Sequence, residues 1–180
     1  MSTSGGADGA GPDRELVERF LKSRSEEAFR ALYSRHSPLV HGLARRLLGG
    51  HADAEDVHQE AWLRAIRALP DFRWESSLGS WICGIAVNCC RERWRRNGAL
   101  GGDEREEIVT SPNEEGVDID RALERLPAGY RAVLILHDVL GYTHEEIARR
   151  LEIEPGTSKS QLARGREAIR ALLGDGRRSK

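Results

Sequence analysis

The chain has 180 residues, a formal net charge of −1 and 39% hydrophobic residues, which suits one domain or two small helical ones. No apolar run approaches the roughly 18 residues a membrane helix needs. The first dozen residues, Met1 to Pro12, carry neither a basic patch nor an apolar core, which excludes a secretory signal and reads as a disordered tail. The expectation is a soluble, cytoplasmic protein.

The near-zero charge hides a segregation. Through Asn97 there are 15 Lys/Arg against 13 Asp/Glu; residues 98–118 carry 1 against 7; the remainder carries 12 against 9. Two mildly basic blocks thus flank an acidic connector, a layout compatible with nucleic-acid binding. Cys83, Cys89 and Cys90 form no C-x-x-C pair, and adjacent cysteines in a helix cannot easily bridge. They read as reduced, partly buried thiols, with a redox or metal role left open.

Leu16, Val17, Phe20 and Leu21 predict a short amphipathic helix. A longer one starts at Glu26 and keeps helical spacing through Phe29, Leu32, Val40, Leu43 and Leu47, with a kink or break expected at Pro38 and a stop at Gly49-Gly50. The next helix spans about Ala54 to Leu69. Val57, Ala61, Trp62, Ala65, Ile66 and Leu69 form its apolar stripe, and Asp56, Gln59, Glu60, Arg64 and Arg67 share the other face. Together with Asp53 and Glu55, that acidic end is a candidate surface for a basic protein partner. A solvated face is the competing reading, since acids suit a helix N-terminus and Glu60–Arg64 is a favourable i,i+4 pair. It leaves Asp56 and Glu60, like charges four residues apart, unexplained.

Pro70-Asp71 ends that helix. Phe72-Arg-Trp74-Glu-Ser76-Ser77 is a loop whose aromatics can stack unpaired bases or plug the core beneath it; plugging is preferred for Phe72 and open for Trp74. Ser80 is expected to cap a helix to Arg96, with Trp81, Ile82, Ile85, Ala86 and Cys89 buried. Gly84, Asn88, Arg91 and Arg95 share another face, suited to phosphates and base edges or simply to solvent.

Residues 98–118, Gly-rich and acidic, read as a flexible linker. The second block opens with a helix over Asp120–Leu126, followed by one over Tyr130–Leu140. Thr143-His-Glu-Glu146 is a capping box opening a helix through Leu151. A five-residue turn follows, and Thr157 is expected to cap a last helix to about Leu173. This is a helix-turn-helix layout, whose second helix enters the major groove. Leu162, Gly165, Ile169 and Leu172 face inward. Thr157, Lys159, Ser160 and Arg164 lie on or beside the opposite face, with an ordinary helical hairpin as the competing reading.

These segments together resemble the extracytoplasmic function (ECF) class of bacterial sigma factors, within the sigma-70 family. The resemblance rests on Asp56-Val-His-Gln-Glu60-Ala, Phe72-Arg73, Trp81-Ile82 and Ile85-Ala-Val-Asn88 in the first block. In the second it rests on Leu126-Pro127, Tyr130-Arg-Ala-Val133, Thr143-His-Glu-Glu-Ile-Ala148 and Gly156-Thr157 to Ala168. It implies an all-α fold of two small helical domains. A tail over 1–12 precedes a region 2 bundle over 13–97. A linker over 98–118 leads to a region 4 helix-turn-helix over 119–174, then a tail over 175–180.

The resemblance implies that Asp53, Glu55, Asp56, Gln59 and Glu60 bind core RNA polymerase at its β′ clamp helices, with the β flap as a further contact. It implies −10 binding by Phe72, Trp74, Ser76, Ser77, Trp81, Asn88, Arg91 and Arg95, the loop capturing a flipped base. Thr157, Lys159, Ser160, Gln161 and Arg164 match readers of −35 promoter DNA. The chain departs from the family pattern at Gly84, Glu152, Ser158, Gln161 and Ala163. An anti-sigma factor is the further partner implied. Two readings compete: a helix-turn-helix regulator working without polymerase, and a pure protein-interaction module. Six scattered histidines and no phosphate-binding Gly loop argue against an enzyme, and no metal, cofactor or small-molecule substrate is expected.

Overall fold

A computed structural model describes residues 10–49, 51–98 and 119–175. Among them there is no strand. The helices are α1 (Ala10–Ser23), α2 (Glu26–Leu48), α3 (His51–Ala68), α4 (Leu78–Arg96), α5 (Ile119–Glu124), α6 (Ala128–Leu134), α7 (His144–Leu151) and α8 (Pro155–Asp175). A single 3-10 turn, Leu69–Asp71, follows α3, and a π-helical turn, Ile135–Val139, extends α6. None of the helices is long and apolar enough to cross a membrane. The chain divides into two compact units, one of Met1–Ala44 with Ala54–Cys89, the other of Arg45–Asp53 with Cys90–Lys180.

The first unit forms because α1 to α4 each present one apolar stripe. Val17 and Phe20, then Leu32, Val40 and Leu43, then Val57, Ala61 and Trp62, then Leu78, Ile82 and Ala86 are all buried. An aromatic cluster runs through it, with Phe29 5.7 Å from Phe20 and Tyr33 4.9 Å from Trp62. Buried Asp13 ties α1 to α2: its carboxylate accepts from Arg35 Nη1 and faces His36 Nε2 at 3.0 Å.

Several local expectations shift. Ala10–Pro12, expected in the tail, already lie in α1, while Met1–Gly9 fall outside the described residues. The break expected at Pro38 does not occur: α2 runs through it, with Pro38 exposed and its neighbours Leu32 and Val40 buried on the core face. One lost backbone hydrogen bond on the solvent side is outweighed by packing on both sides of it. The cap of α4 is Ser77 rather than Ser80, since the Ser77 hydroxyl accepts the Ser80 N–H at 3.2 Å.

In the second unit, Leu123, Val133, Ile135, Leu136, Ile147, Leu151, Leu162 and Leu172 are buried. The expected capping box is present: Thr143 Oγ1 accepts the Glu146 N–H, and the Thr143 N–H donates to Glu146 Oε2 at 2.8 Å. Those bonds hold the Glu146 carboxyl below its usual range. The last helix starts at Pro155, not after a Thr157 cap, which fits proline's preference for the first helical turn. Gly165 allows α8 to approach α6 closely, since a Cβ there would lie 3.3 Å from the Tyr130 carbonyl oxygen.

One buried cation organises helix ends in this unit. Arg131, 6% exposed, donates from Nε to the Leu47 carbonyl at 3.0 Å and from Nη1 to the carbonyls of Leu123 and Glu124. These belong to the last turns of α2 and α5, whose carbonyls lack intrahelical partners. Gly49 makes room for it, with φ +68 and a would-be Cβ only 2.5 Å from Arg131 Nη1.

Candidate functional site

The acidic end of α3 is presented much as its periodicity predicts. Glu55, Asp56 and Gln59 are exposed and Glu60 is half-buried. Gln59 Nε2 donates to Glu55 Oε1 at 3.1 Å, and Arg64 Nε donates to Glu60 Oε1 at 2.7 Å, the i,i+4 pair expected. Asp53 instead pairs with Arg93 within the second unit. The sequence reading missed Leu63. It is 49% exposed, three residues after Glu60 and four after Gln59, so a large apolar side chain emerges amid a charged face. It lies off the apolar stripe of Val57, Ala61, Trp62, Ala65, Ile66 and Leu69, and that position was the available signal.

The loop after α3 gathers its aromatics. Phe72 is half-buried, with its ring 4.8 Å from Trp74 and 4.7 Å from Trp81, tilted by 51° and 31°. Trp74 has φ +59, the left-handed region that a bulky L-residue rarely enters. Ser76 and Ser77 are exposed, but the Ser77 hydroxyl is engaged as the α4 cap and hydrogen-bonds the Ser80 hydroxyl at 2.8 Å.

The polar stripe expected along α4 is not a continuous exposed face. Gly84 is buried and Asn88 half-buried. Further along, within the second unit, Arg91 donates to Glu152 Oε1 at 2.8 Å and to the Arg150 carbonyl, and exposed Arg95 lies 4.0 Å from the same carboxylate. Glu152 ends α7 with φ +59, the conformation that glycine adopts without strain.

The exposed face of α8 brings together Thr157, Lys159, Ser160 and Arg164. Ser160 Oγ donates back to the Thr157 carbonyl at 2.9 Å, and Arg164 Nη1 donates to the Tyr130 hydroxyl at 3.4 Å. Gln161 stands apart: a Cβ on Gly129 would lie 2.9 Å from its Nε2, so its amide is packed against that glycine's backbone. On the buried face, Ser158 is fully enclosed and its hydroxyl lies 2.9 Å from His144 Nδ1. His144 in turn stacks on His137 at 4.8 Å. Burial, then the nearby His137 and Lys159, hold the His144 imidazole below its usual pKa. Chemically, α8 offers hydroxyl, ammonium and guanidinium donors at the start of the second helix of a helix-turn-helix. That set suits phosphates and base edges. Among the described residues, no group of three or more His, Cys, Asp or Glu could hold a metal ion.

The comparisons with known proteins agree across the chain. Residues 32–99 match the family described as Sigma-70 region 2, and residues 116–169 the one described as Sigma-70, region 4. The ECF RNA polymerase sigma factor SigM of Mycobacterium tuberculosis is 37% identical, over 90% of this chain and 85% of its own length. The ECF RNA polymerase sigma-E factor of Escherichia coli is 32% identical, over 87% of this chain and 92% of its own. A solved structure of the sigma factor RpoE in complex with the anti-sigma factor NepR from Bartonella quintana superposes with a TM-score of 0.54. It has 27% identity and covers 81% of this chain and 96% of that one.

Proposed function

The chain belongs to the ECF RNA polymerase sigma factors, and we infer from this how its residues divide the work of promoter-specific transcription initiation. It binds core RNA polymerase and directs it to a dedicated set of promoters. The observation that carries this is the presence, on one chain, of matches to sigma region 2 and sigma region 4 in that order.

We assign residues 13–97 to region 2, 98–118 to a linker and 119–174 to region 4. Asp53, Glu55, Asp56, Gln59 and Glu60 meet the basic clamp helices of the polymerase, with Leu63 as the apolar contact inside that charged patch. A buried apolar anchor ringed by polar contacts is the usual anatomy of a strong interface. The loop and helix bearing Phe72, Trp74, Ser76, Trp81 and Asn88 hold melted −10 DNA. Stacking on Trp74 offsets an unstacking cost of a few kcal/mol. Arg91 and Arg95 meet phosphates once Glu152 no longer engages them. Lys159, Ser160 and Arg164 read the −35 duplex from the major groove, with Thr157 at the phosphates; the packing of Gln161 against Gly129 makes it a lesser contributor.

The chain contributes selection and DNA melting, and the polymerase contributes the phosphodiester chemistry, so no catalytic residue is assigned. It works in the cell interior, where the polymerase is. An anti-sigma factor restrains it, as the solved relative bound to NepR suggests.

The test is gel filtration of the purified chain with core polymerase, followed by run-off transcription on a genomic fragment library. Co-elution with discrete start sites is the expected result. A free chain that shifts duplex DNA without binding the polymerase would make it a plain helix-turn-helix regulator.

A further inference from the structure

We propose that Arg14, on the first helix and outside the residues matched to region 2, is a positioning residue that holds Trp74 ready to stack on single-stranded promoter DNA; the proposal rests on the −10 assignment above.

Trp74 needs holding. Its φ of +59 is costly for a side chain with a Cβ, and such a conformation persists only where neighbours enforce it. Two neighbours touch the ring. One is Phe72, 4.8 Å away. The other is Arg14, whose guanidinium carbon lies 5.1 Å from the Trp74 ring centroid, within the range of a cation–π contact.

Arg14 is itself held in place. The preceding residue, Asp13, is only 5% exposed and binds both Arg35 and His36 of α2. His36 extends the brace to α4: a Cβ on Gly79 would lie 3.0 Å from its Nδ1, so the imidazole packs against the first turn of that helix. The loop bearing Trp74 leads into that same turn. Asp13 thus anchors α1 to the elements that frame the loop, and Arg14, one residue on, reaches the ring. The ring is half-buried, so part of its surface stays open for a base to stack on while the guanidinium holds it.

The test is a double-mutant cycle on the holoenzyme. The probe is a fluorescein-labelled single strand from the −10 region of a promoter selected by wild-type holoenzyme, read by fluorescence anisotropy. Arg14→Ala is expected to weaken binding about two- to fivefold, the scale of one cation–π contact. Arg14→Lys, which keeps a cation, should retain most of the affinity. In a Trp74→Ala background, Arg14→Ala should cost nothing further. Asp13→Asn should reproduce the Arg14→Ala loss when Trp74 is present and not when it is absent, with core binding intact throughout.

An equal loss with and without Trp74 would make Arg14 a simple phosphate contact and overturn the positioning role. An unaffected Arg14→Ala, beside a Trp74→Ala that binds poorly, would overturn it while sparing the −10 assignment. An unaffected Trp74→Ala would sink that assignment and this proposal together.

Discussion

His144 and Ser158 meet across the helix-turn-helix, imidazole Nδ1 to hydroxyl at 2.9 Å, with the serine fully buried. The contact pins the first turn of α7 to the first turn of α8, directly before Lys159 and Ser160. The groups around the imidazole are His137, stacked on it, and Lys159, Glu145 and Arg166, of which only Glu145 favours protonation. With its proton on Nε2, the neutral ring accepts from the serine. Because its folded pKa lies below the unfolded value, the unfolded chain takes up the proton first. Stability from this pair is therefore complete above about pH 6.5 and declines as the pH falls through the lower folded value. His58, also lowered, adds a decline of the same sign in the first unit. Thermal melting across this range should show the wild type losing stability on acidification, and His144→Asn losing less of it. Equal losses in both would show that the pair is not responsible.

Arg164 should behave as a reader of sequence. Its replacement by alanine is expected to weaken promoter recognition by ~1–3 kcal/mol. Tyr130→Phe, which removes the hydroxyl that Arg164 Nη1 meets at 3.4 Å, should have a smaller effect in the same direction. Competition between promoter and unrelated duplexes decides the matter. If Arg164→Ala lowers affinity for both equally, the guanidinium contacts phosphate alone.

Leu63 predicts a clean separation of folding from binding. Being half-exposed on α3, it can become alanine with little change in melting temperature. Affinity for core polymerase should nevertheless fall about tenfold, as for a moderate interface anchor. A titration of core against labelled protein measures this, and an unchanged affinity would move the interface off this face. Glu60→Lys, which reverses a charge in the same patch, should abolish core binding with the fold intact.

Gly49→Ala should be among the more damaging small substitutions. A Cβ at φ +68 is strained by ~1–2 kcal/mol. The same Cβ would also displace Arg131 from three helix-terminal carbonyls, for a total of about 2–4 kcal/mol. Urea unfolding should show that Gly49→Ala costs less in an Arg131→Met background, because the collision is gone. Fully additive losses would separate the two effects.

Local signals carried the architecture and part of the sites. The Thr143–Glu146 box and the acidic face of α3 were legible because each depends on residues three or four apart. Ser77 was misread because Ser80, in the same small-residue run, matches a cap signature equally well. The start of α8 was misread through Thr157, although Pro155 carried the better cue. Asp13 and Arg131 left no local trace: their partners lie 22 and up to 84 residues away, and a buried ion resembles a surface charge in any periodic count. Leu63 was passed over for another reason: it lies off the apolar stripe, and a single apolar residue among charges carries no periodic signal. The backbone of Trp74 was hidden because nothing in Phe-Arg-Trp-Glu demands a left-handed residue.

The three buried thiols of α4 amount to a built-in clock. Cys83, Cys89 and Cys90 are at most 2% exposed, and burial pushes the Cys83 thiol up to about 11, so little thiolate forms near neutrality. A thiol-specific reagent therefore reacts only in moments when α4 opens, and its rate measures the free energy of that opening. Cys89 belongs to the first unit and its neighbour Cys90 to the second. Labelling of Cys83, Cys89 and Cys90 resolved by mass spectrometry would time the opening of α4 across that boundary, with no engineered probe.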